Sequence, residues 1–354
     1  MNESIELIKK LTLAKGISGC EMNIKRIIGK EMHNFHSSET DNMGSVTYKF
    51  VGSSKPKIMF IAHQDEIGFI VSDITDDGFL QIQPIGGWDI HTLQSSPVSV
   101  INSQNATIHG LIGSVPVHFR RKNSQKLTMN KLFIDIGAKS AHDVSDNFKI
   151  ELGAAVIPKT NFYYSETNQR IFSKAFDDRI GIAAMIELGK QLPGLNHPNT
   201  IYCTASVQEE VGTRGAIAIS NYTDTDIAIV LEGAPADDIP GIEANPQTAV
   251  GKGVHIRIYD PRMLVKKSLK DFVIRIAKKS NINYQIAVRK AGGTDGKQLH
   301  TARNGIPTIV LGVPVRYAHS HTGVISLEDY EELKKLLIAI AENLDYDAAQ
   351  IILS

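Results

Sequence analysis

The 354-residue chain has only two cysteines, Cys20 and Cys203, a single tryptophan and no excess of either charge, with 38 basic against 38 acidic residues. Two cysteines cannot build a disulfide framework, and without a C-x-x-C they offer no zinc knuckle, so a reducing compartment, the cytoplasm, is expected. A formal charge of zero sets up no long-range field toward nucleic acid or an anionic membrane, and the expected partner is a small or neutral molecule. Long hydrophobic runs are missing too: no stretch approaches the ~18 to 20 apolar residues of a membrane span. Near the start Ile5, Ile8 and Leu11 repeat at helical spacing, but charged residues interrupt them and no signal-peptide core is expected there.

What is present divides into two kinds of sequence. KIMFIA (57–62), IAIVL (227–231) and TIVL (308–311) read as short apolar strands, and Thr200 to Val207, which alternates Ile201, Cys203, Ala205 and Val207 against Tyr202, Thr204 and Ser206, as a half-buried one. Helical segments lie between and after them: Arg179 to Leu192, apolar almost throughout Ile180 to Ile186, and Leu327 to Leu344, whose S-L-E-D start at Ser326 resembles a capping box. Strands alternating with helices imply an α/β core around a mostly parallel sheet. From about Gly68 to Tyr164 the pattern changes to short alternating segments separated by Gly, Pro, Asn and Ser, the mark of a small β-rich domain inserted into that core. The division expected is residues 1–67 with 165–354 as one α/β domain, and 68–164 as the insertion.

The ionisable residues fall at the strand ends. His63 and Asp65 follow KIMFIA, Glu209 and Glu210 follow the second strand, Glu232 follows IAIVL, and His319 comes shortly after TIVLGVPVRY. Asp177 and Asp178 stand at the start of the buried helix. In open α/β sheets ligands bind outside the carboxyl ends of the strands, so these groups converge on the edge where a site forms. Two imidazoles with three or more carboxylates suit a pair of divalent ions doing hydrolysis. Zinc, cobalt or manganese fits that mixture better than magnesium or calcium. Adjacent glutamates, which otherwise repel, then make sense: one ligates metal while the other takes a proton from water as general base. Asp65, two residues beyond His63, can accept the imidazole N–H and fix which ring nitrogen faces the metal.

The segments AHQDEIGF (62–69), GGW (86–88), GLIGSVPVH (110–118), DIGA (135–138), KAFDDRIG (174–181), VQEEVGTRGA (207–216), DIPG (238–241), GGTD (292–295) and VPVRYAHS (313–320) occur in this order. In them the chain resembles the M42 family of metallo-aminopeptidases. The resemblance implies a zinc-peptidase-like α/β/α core interrupted by a β-rich dimerisation domain. It implies removal of N-terminal residues from peptides with a free amine, with two divalent ions per subunit. Asp177 would bridge them, His63 and Glu232 completing one and Glu210 and His319 the other. Glu209 would be the general base, with Asp65 counted beside it among the catalytic residues through its hold on His63. It further implies a homo-oligomer built from dimers, up to a dodecamer. Two positions depart from the pattern: Glu232, where many members carry Asp, and His321, an additional imidazole whose expected place is exposed and structural. Other readings stay open on the residues themselves. Paired carboxylates also serve glycoside hydrolases, which need no metal, and the fold could carry a non-catalytic assembly protein. Arg214 is expected to pair with a carboxylate as scaffold, Trp88 to pack within the small domain, and Thr294 and Asp295 to belong to a tight turn or a substrate loop.

Overall fold

The computed structural model describes residues 3–119, 127–242 and 245–354. Its centre is a nine-stranded sheet. Thr200–Ser206, Lys57–His63, Ile227–Pro235 and Thr308–Val315 lie side by side and parallel, with Val46–Val51 antiparallel at one flank and Val254–Asp260 antiparallel at the other. The parallel strands are buried along nearly their whole length. That is why KIMFIA and IAIVL read as unbroken apolar runs: parallel strands carry helices on both faces. Phe176–Gln191 supplies one such cover and is buried throughout Ile180 to Ile186; Leu327–Asn343 packs into the same core.

Several local expectations need correcting. The alternation in Thr200–Ser206 suggested a half-buried strand, yet its polar face is buried as well. Those hydroxyls have partners inside: Thr204 meets Thr47 Oγ1 at 3.1 Å and Ser206 donates to Asp295. Ser326 does not cap Leu327–Asn343 through its side chain; it accepts from Arg170 Nη1 at 2.7 Å. Asp329, the would-be partner of the capping box, instead accepts the Gly251 and Gly253 N–H groups at 2.6 Å each. Ile227–Pro235 also runs further than IAIVL, so Glu232, expected just past the strand's end, lies within it, opposite Gly312 and 5% exposed.

Between residues 68 and 158 six strands close into an antiparallel barrel, Gly68–Ile74, Leu80–Ile85, Phe133–Asp135, Thr107–Ile112, Pro97–Ile101 and Ala155–Pro158 in spatial order. Phe69, Val71, Leu80, Ile82, Val98, Val100, Ile134 and Val156 fill it, so the barrel has a core of its own. Trp88 packs at its mouth, stacked on Phe69 with ring centres 4.9 Å apart and donating its indole N–H to Gly68 O at 3.1 Å. The next strand, Tyr163–Ser165, joins a separate three-stranded sheet with Arg170–Ser173 and Gly323–Ser326.

A buried cation ties the N-terminal segment to the central strand. Arg179, 0% exposed, donates through Nε to Gln64 O at 2.8 Å, through Nη1 to Leu11 O and Ala14 O at 2.8 and 3.0 Å, and through Nη2 to Gly16 O at 2.9 Å. Its charge is met by Glu66 at 3.3 Å, which also takes Lys174. Arg179→Met would leave these carbonyls without donors and Glu66 with one cation fewer. It should cost about 3 to 5 kcal/mol, read as a lower denaturant midpoint by circular dichroism; an unchanged midpoint would show the network to be dispensable.

Candidate metal centre

The sheet's parallel strands end at one crevice. His63 closes Lys57–His63, the glutamate pair follows Thr200–Ser206, and Glu232 lies within Ile227–Pro235. Asp177 enters from the first residues of Phe176–Gln191, where neither Asp177 nor Asp178 has helical torsions and a cis peptide bond joins them. His319 follows Thr308–Val315 with a left-handed φ of 59°, a conformation a β-carbon disfavours and that clusters at functional sites. Gln208, immediately before the glutamates, is left-handed as well, at 55°.

All the residues expected from the sequence meet here. His63 Nε2 lies 3.0 Å from Asp177 Oδ1, and His319 Nε2 lies 3.3 Å from Asp177 Oδ2 and 3.6 Å from Glu210 Oε2. The two oxygens of one carboxylate thus face two different histidines. One ligand atom each from His63, Asp177 and Glu210, and likewise from His63, Asp178 and Glu232, fall within 4.8 Å of one another. Asp178 is already committed to scaffold bonds, accepting from His63 N at 3.1 Å and from Gly181 N at 3.0 Å. Glu209 Oε2 stands 4.0 Å from His63 Nε2.

Asp65 organises this arrangement from behind. It is fully buried, and its carboxylate accepts the backbone N–H groups of both Glu209 and Glu210, at 3.0 and 3.1 Å, and the Ser18 hydroxyl at 2.7 Å. His63 Nδ1 turns to the same residue, 3.1 Å from its carbonyl and 3.4 Å from Oδ1. The hydrogen bond thus goes to the backbone carbonyl of Asp65, with its carboxylate close by, and Nε2 is the nitrogen left facing Asp177. On the other side His319 Nδ1 donates to Gly87 O at 2.9 Å. Glycine is needed there: a Cβ on Gly87 would sit 3.3 Å from His319 Nδ1, and one on Gly86 3.1 Å from Glu210 Oε2 and 2.4 Å from Ile67.

The electrostatics call for a cation. Burial raises Glu209 and Glu232 well above the usual carboxylate range and Glu210 to about 8. Burial opposes the charged imidazoles, yet the carboxylates beside them hold His63 well above its usual value and His319 up to about 10. Asp177, pressed upward by burial, is nevertheless pulled down by the two histidines. Among the described residues no lysine or arginine pairs with Asp177, Glu209, Glu210 or Glu232. Glu210 Oε1 is buried without a hydrogen-bond partner. Buried oxygens with no donor, set among imidazole nitrogens, fit divalent metal ligation.

Asp295, which the GGTD motif left between a tight turn and a substrate loop, is 1% exposed, accepts from Ser206, and is raised by burial to about 6. His321 is half-buried rather than exposed: its ring lies 5.4 Å from Trp88, neither nitrogen has a partner, and burial lowers it to about 4. Arg214 is exposed and donates to Gln208 Oε1 at 3.4 Å, not to a carboxylate.

A family model, M42 glutamyl aminopeptidase, matches residues 44–336. The chain belongs to this family. It is a metal-dependent aminopeptidase, a peptide hydrolase that uses divalent metal. It is 30% identical to the glutamyl aminopeptidase of Lactococcus lactis subsp. cremoris, over 97% of each chain, and 31% identical to the lysyl aminopeptidase of Pyrococcus furiosus, over 96% of this chain and 97% of that one. Among solved structures, the TET aminopeptidase of a marine-sediment archaeon of the Thaumarchaeota superimposes with a TM-score of 0.95 at 36% identity, covering 99% of both chains. The Pyrococcus horikoshii TET1 peptidase, described as assembling into a tetrahedron or a large octahedral shell, gives a TM-score of 0.86 at 31% identity, covering 97% of this chain and 100% of that one. In this M42 enzyme, Asp65→Asn would weaken the hold on Glu209, Glu210 and His63 together. Activity titrated against added zinc should show about 10 to 100-fold weaker metal affinity or lower turnover; wild-type behaviour would remove Asp65 from the site's support.

Proposed function

We propose that Asp177 bridges two divalent ions, with His63 and Glu232 completing one ligand set and Glu210 and His319 the other. The observation that carries this is the divided Asp177 carboxylate, Oδ1 toward His63 and Oδ2 toward His319. Zinc or cobalt fits this donor set best, manganese less well. Such ions, when bound, polarise the substrate carbonyl and acidify water enough for attack at neutral pH. Glu209 lines the cleft beside these ligands. It takes a proton from the attacking water and passes it to the leaving amine, completing hydrolysis of the first peptide bond. Asp65 acts on this step only by holding His63 and the two glutamate backbones in place. The substrate is a peptide with a free N-terminus.

The assembly reading extends the same kinship. The Pyrococcus horikoshii relative can assemble into a tetrahedron or a large octahedral shell, and a homo-oligomer of up to twelve copies is the corresponding form here. The inserted segment, 68–164, is the dimerisation domain in this reading; its exposed Leu111, Phe119 and Leu152 offer apolar surface for that contact. Among the described residues no helix is long and apolar enough to cross a membrane, in keeping with a cytoplasmic enzyme.

Glu209→Gln should keep its metal by elemental analysis and lose about 10² to 10⁴-fold in kcat. Asp177→Ala should lose metal and activity together. Full activity in Glu209→Gln would sink the general-base assignment. Chelation should abolish hydrolysis of aminoacyl-p-nitroanilides, and zinc or cobalt should restore it; cleavage of glycosides that survives chelation would favour the paired-carboxylate alternative.

A further inference from the structure

Three successive backbone N–H groups lead through the glutamate pair, and each is accepted by a buried carboxyl group. Glu209 and Glu210 donate to the two oxygens of Asp65, and Gln208 donates to Glu21 Oε1 at 3.2 Å. Gln208 is the strained member of the three, at a left-handed φ of 55°. A residue with a β-carbon keeps that conformation only where its surroundings over-determine it. Glu21 holds the peptide before it; on the other side Gln208 O accepts the Arg214 N–H at 3.1 Å.

Glu21 immediately precedes the helix Met22–Glu31, where an acidic side chain ordinarily caps the first turn. It makes no such bond. Its Oε1 turns back to the Gly19 N–H at 2.8 Å and across to Gln208, 187 residues further along the chain. The segment that carries it is tied down in turn. Gly16 donates to Glu66 Oε1 at 3.2 Å, Ile17 is fully buried and bridged to Glu66, and Cys20 N donates to Ile17 O at 2.8 Å. Residues 16–21 thus reach the glutamate pair by two routes, through Ser18 to Asp65 and through Glu21 to Gln208.

We propose that Glu21 is a positioning residue for the general base: its oxygen fixes the Gln208 peptide and so sets where the Glu209 carboxyl stands against the attacking water. The inference rests on the assignment of Glu209 as general base above. Glu21 does not line the cleft and bonds to no proposed metal ligand, so its effect falls on turnover rather than on metal or substrate binding. What the geometry uses is an acceptor oxygen at the right reach, not a charge. A carboxamide of equal length supplies that oxygen; aspartate, one methylene shorter, does not.

The experiment measures kcat and KM of the zinc- or cobalt-loaded enzyme on an aminoacyl-p-nitroanilide that the wild type cleaves. The variants are Glu21→Ala, Glu21→Asp and Glu21→Gln, each alone and combined with Glu209→Gln, with metal content by elemental analysis and denaturant midpoint by circular dichroism. Glu21→Ala and Glu21→Asp should lower kcat per metal-loaded subunit by about 10 to 100-fold with KM and metal content unchanged. Glu21→Gln should recover most of that loss. In the Glu209→Gln background none of the three should lower kcat further, because the residue they act through is already disabled. Glu21→Asp keeps the charge and serves if Glu21→Ala fails to fold. Unchanged kcat in Glu21→Ala and Glu21→Asp overturns the proposal whatever the midpoint, since a role in folding alone moves only the latter. So does the reverse ranking, with Glu21→Asp active and Glu21→Gln impaired, and so do metal loss in step with kcat or additive losses in the Glu209→Gln background. Full activity of Glu209→Gln by itself overturns the general-base assignment, and this inference with it.

Discussion

Crowded negative charge is the constraint around which this molecule is arranged. Asp65, Asp177, Asp178, Glu209, Glu210, Glu232 and Asp295 are gathered at the ends of the parallel strands, with two imidazoles among them. Two like charges 4 Å apart repel by about 4 kcal/mol at an effective dielectric near 20, so the cluster requires positive charge at its centre. On the residues alone, protons on His63 and His319 supply it, which is why those imidazoles are so basic, while burial first and the neighbouring carboxylates after it make the glutamates reluctant to ionise. Divalent ions would satisfy the same demand with more charge and leave Glu209 free to accept a proton in the proposed role.

The scaffold beneath separates the acids that work from those that support. Asp65 and Asp178 spend their oxygens on backbone N–H groups, and this fixes the positions of Glu209, Glu210 and His63. One layer further down, Arg179 and Lys174 meet Glu66 in a buried pairing of opposite charge that anchors the N-terminal segment under the site. Burial brings Lys174 down to about 8, a measure of how dry that layer is. Rigid support of this kind allows the proposed ligands, His63, Asp177, Glu210, Glu232 and His319, drawn from five separate places in the chain, to converge on one crevice.

Much of this was legible in the sequence because two-sided burial leaves a plain mark. KIMFIA, IAIVL and TIVL are apolar on both faces and became the parallel strands, and the carboxylates and histidines at their ends marked the crevice. The shift to short alternating segments after Gly68 pointed to the barrel. The misreadings share a cause, which is that local pattern does not reveal a distant partner. Thr204 and Ser206 looked solvent-facing but are bonded to Thr47 and Asp295; Ser326 and Asp329 looked like a helix cap but serve Arg170 and the Gly251 to Gly253 loop. Asp295 and the Gly86–Gly87 approach were hidden for the same reason, since their importance lies in groups some ninety or more than two hundred residues away.

The bond from His319 to Gly87 O joins two bodies that otherwise have separate cores. A histidine of the hydrolytic centre takes its orientation from a loop of the barrel, so the barrel is a strut of the active site as well as an outer module. Whatever steadies the barrel also steadies that imidazole. Excising the insertion, however neatly its ends were rejoined, would remove this brace from one wall of the site, and a tilt of the barrel would reach His319 through the Gly87 carbonyl.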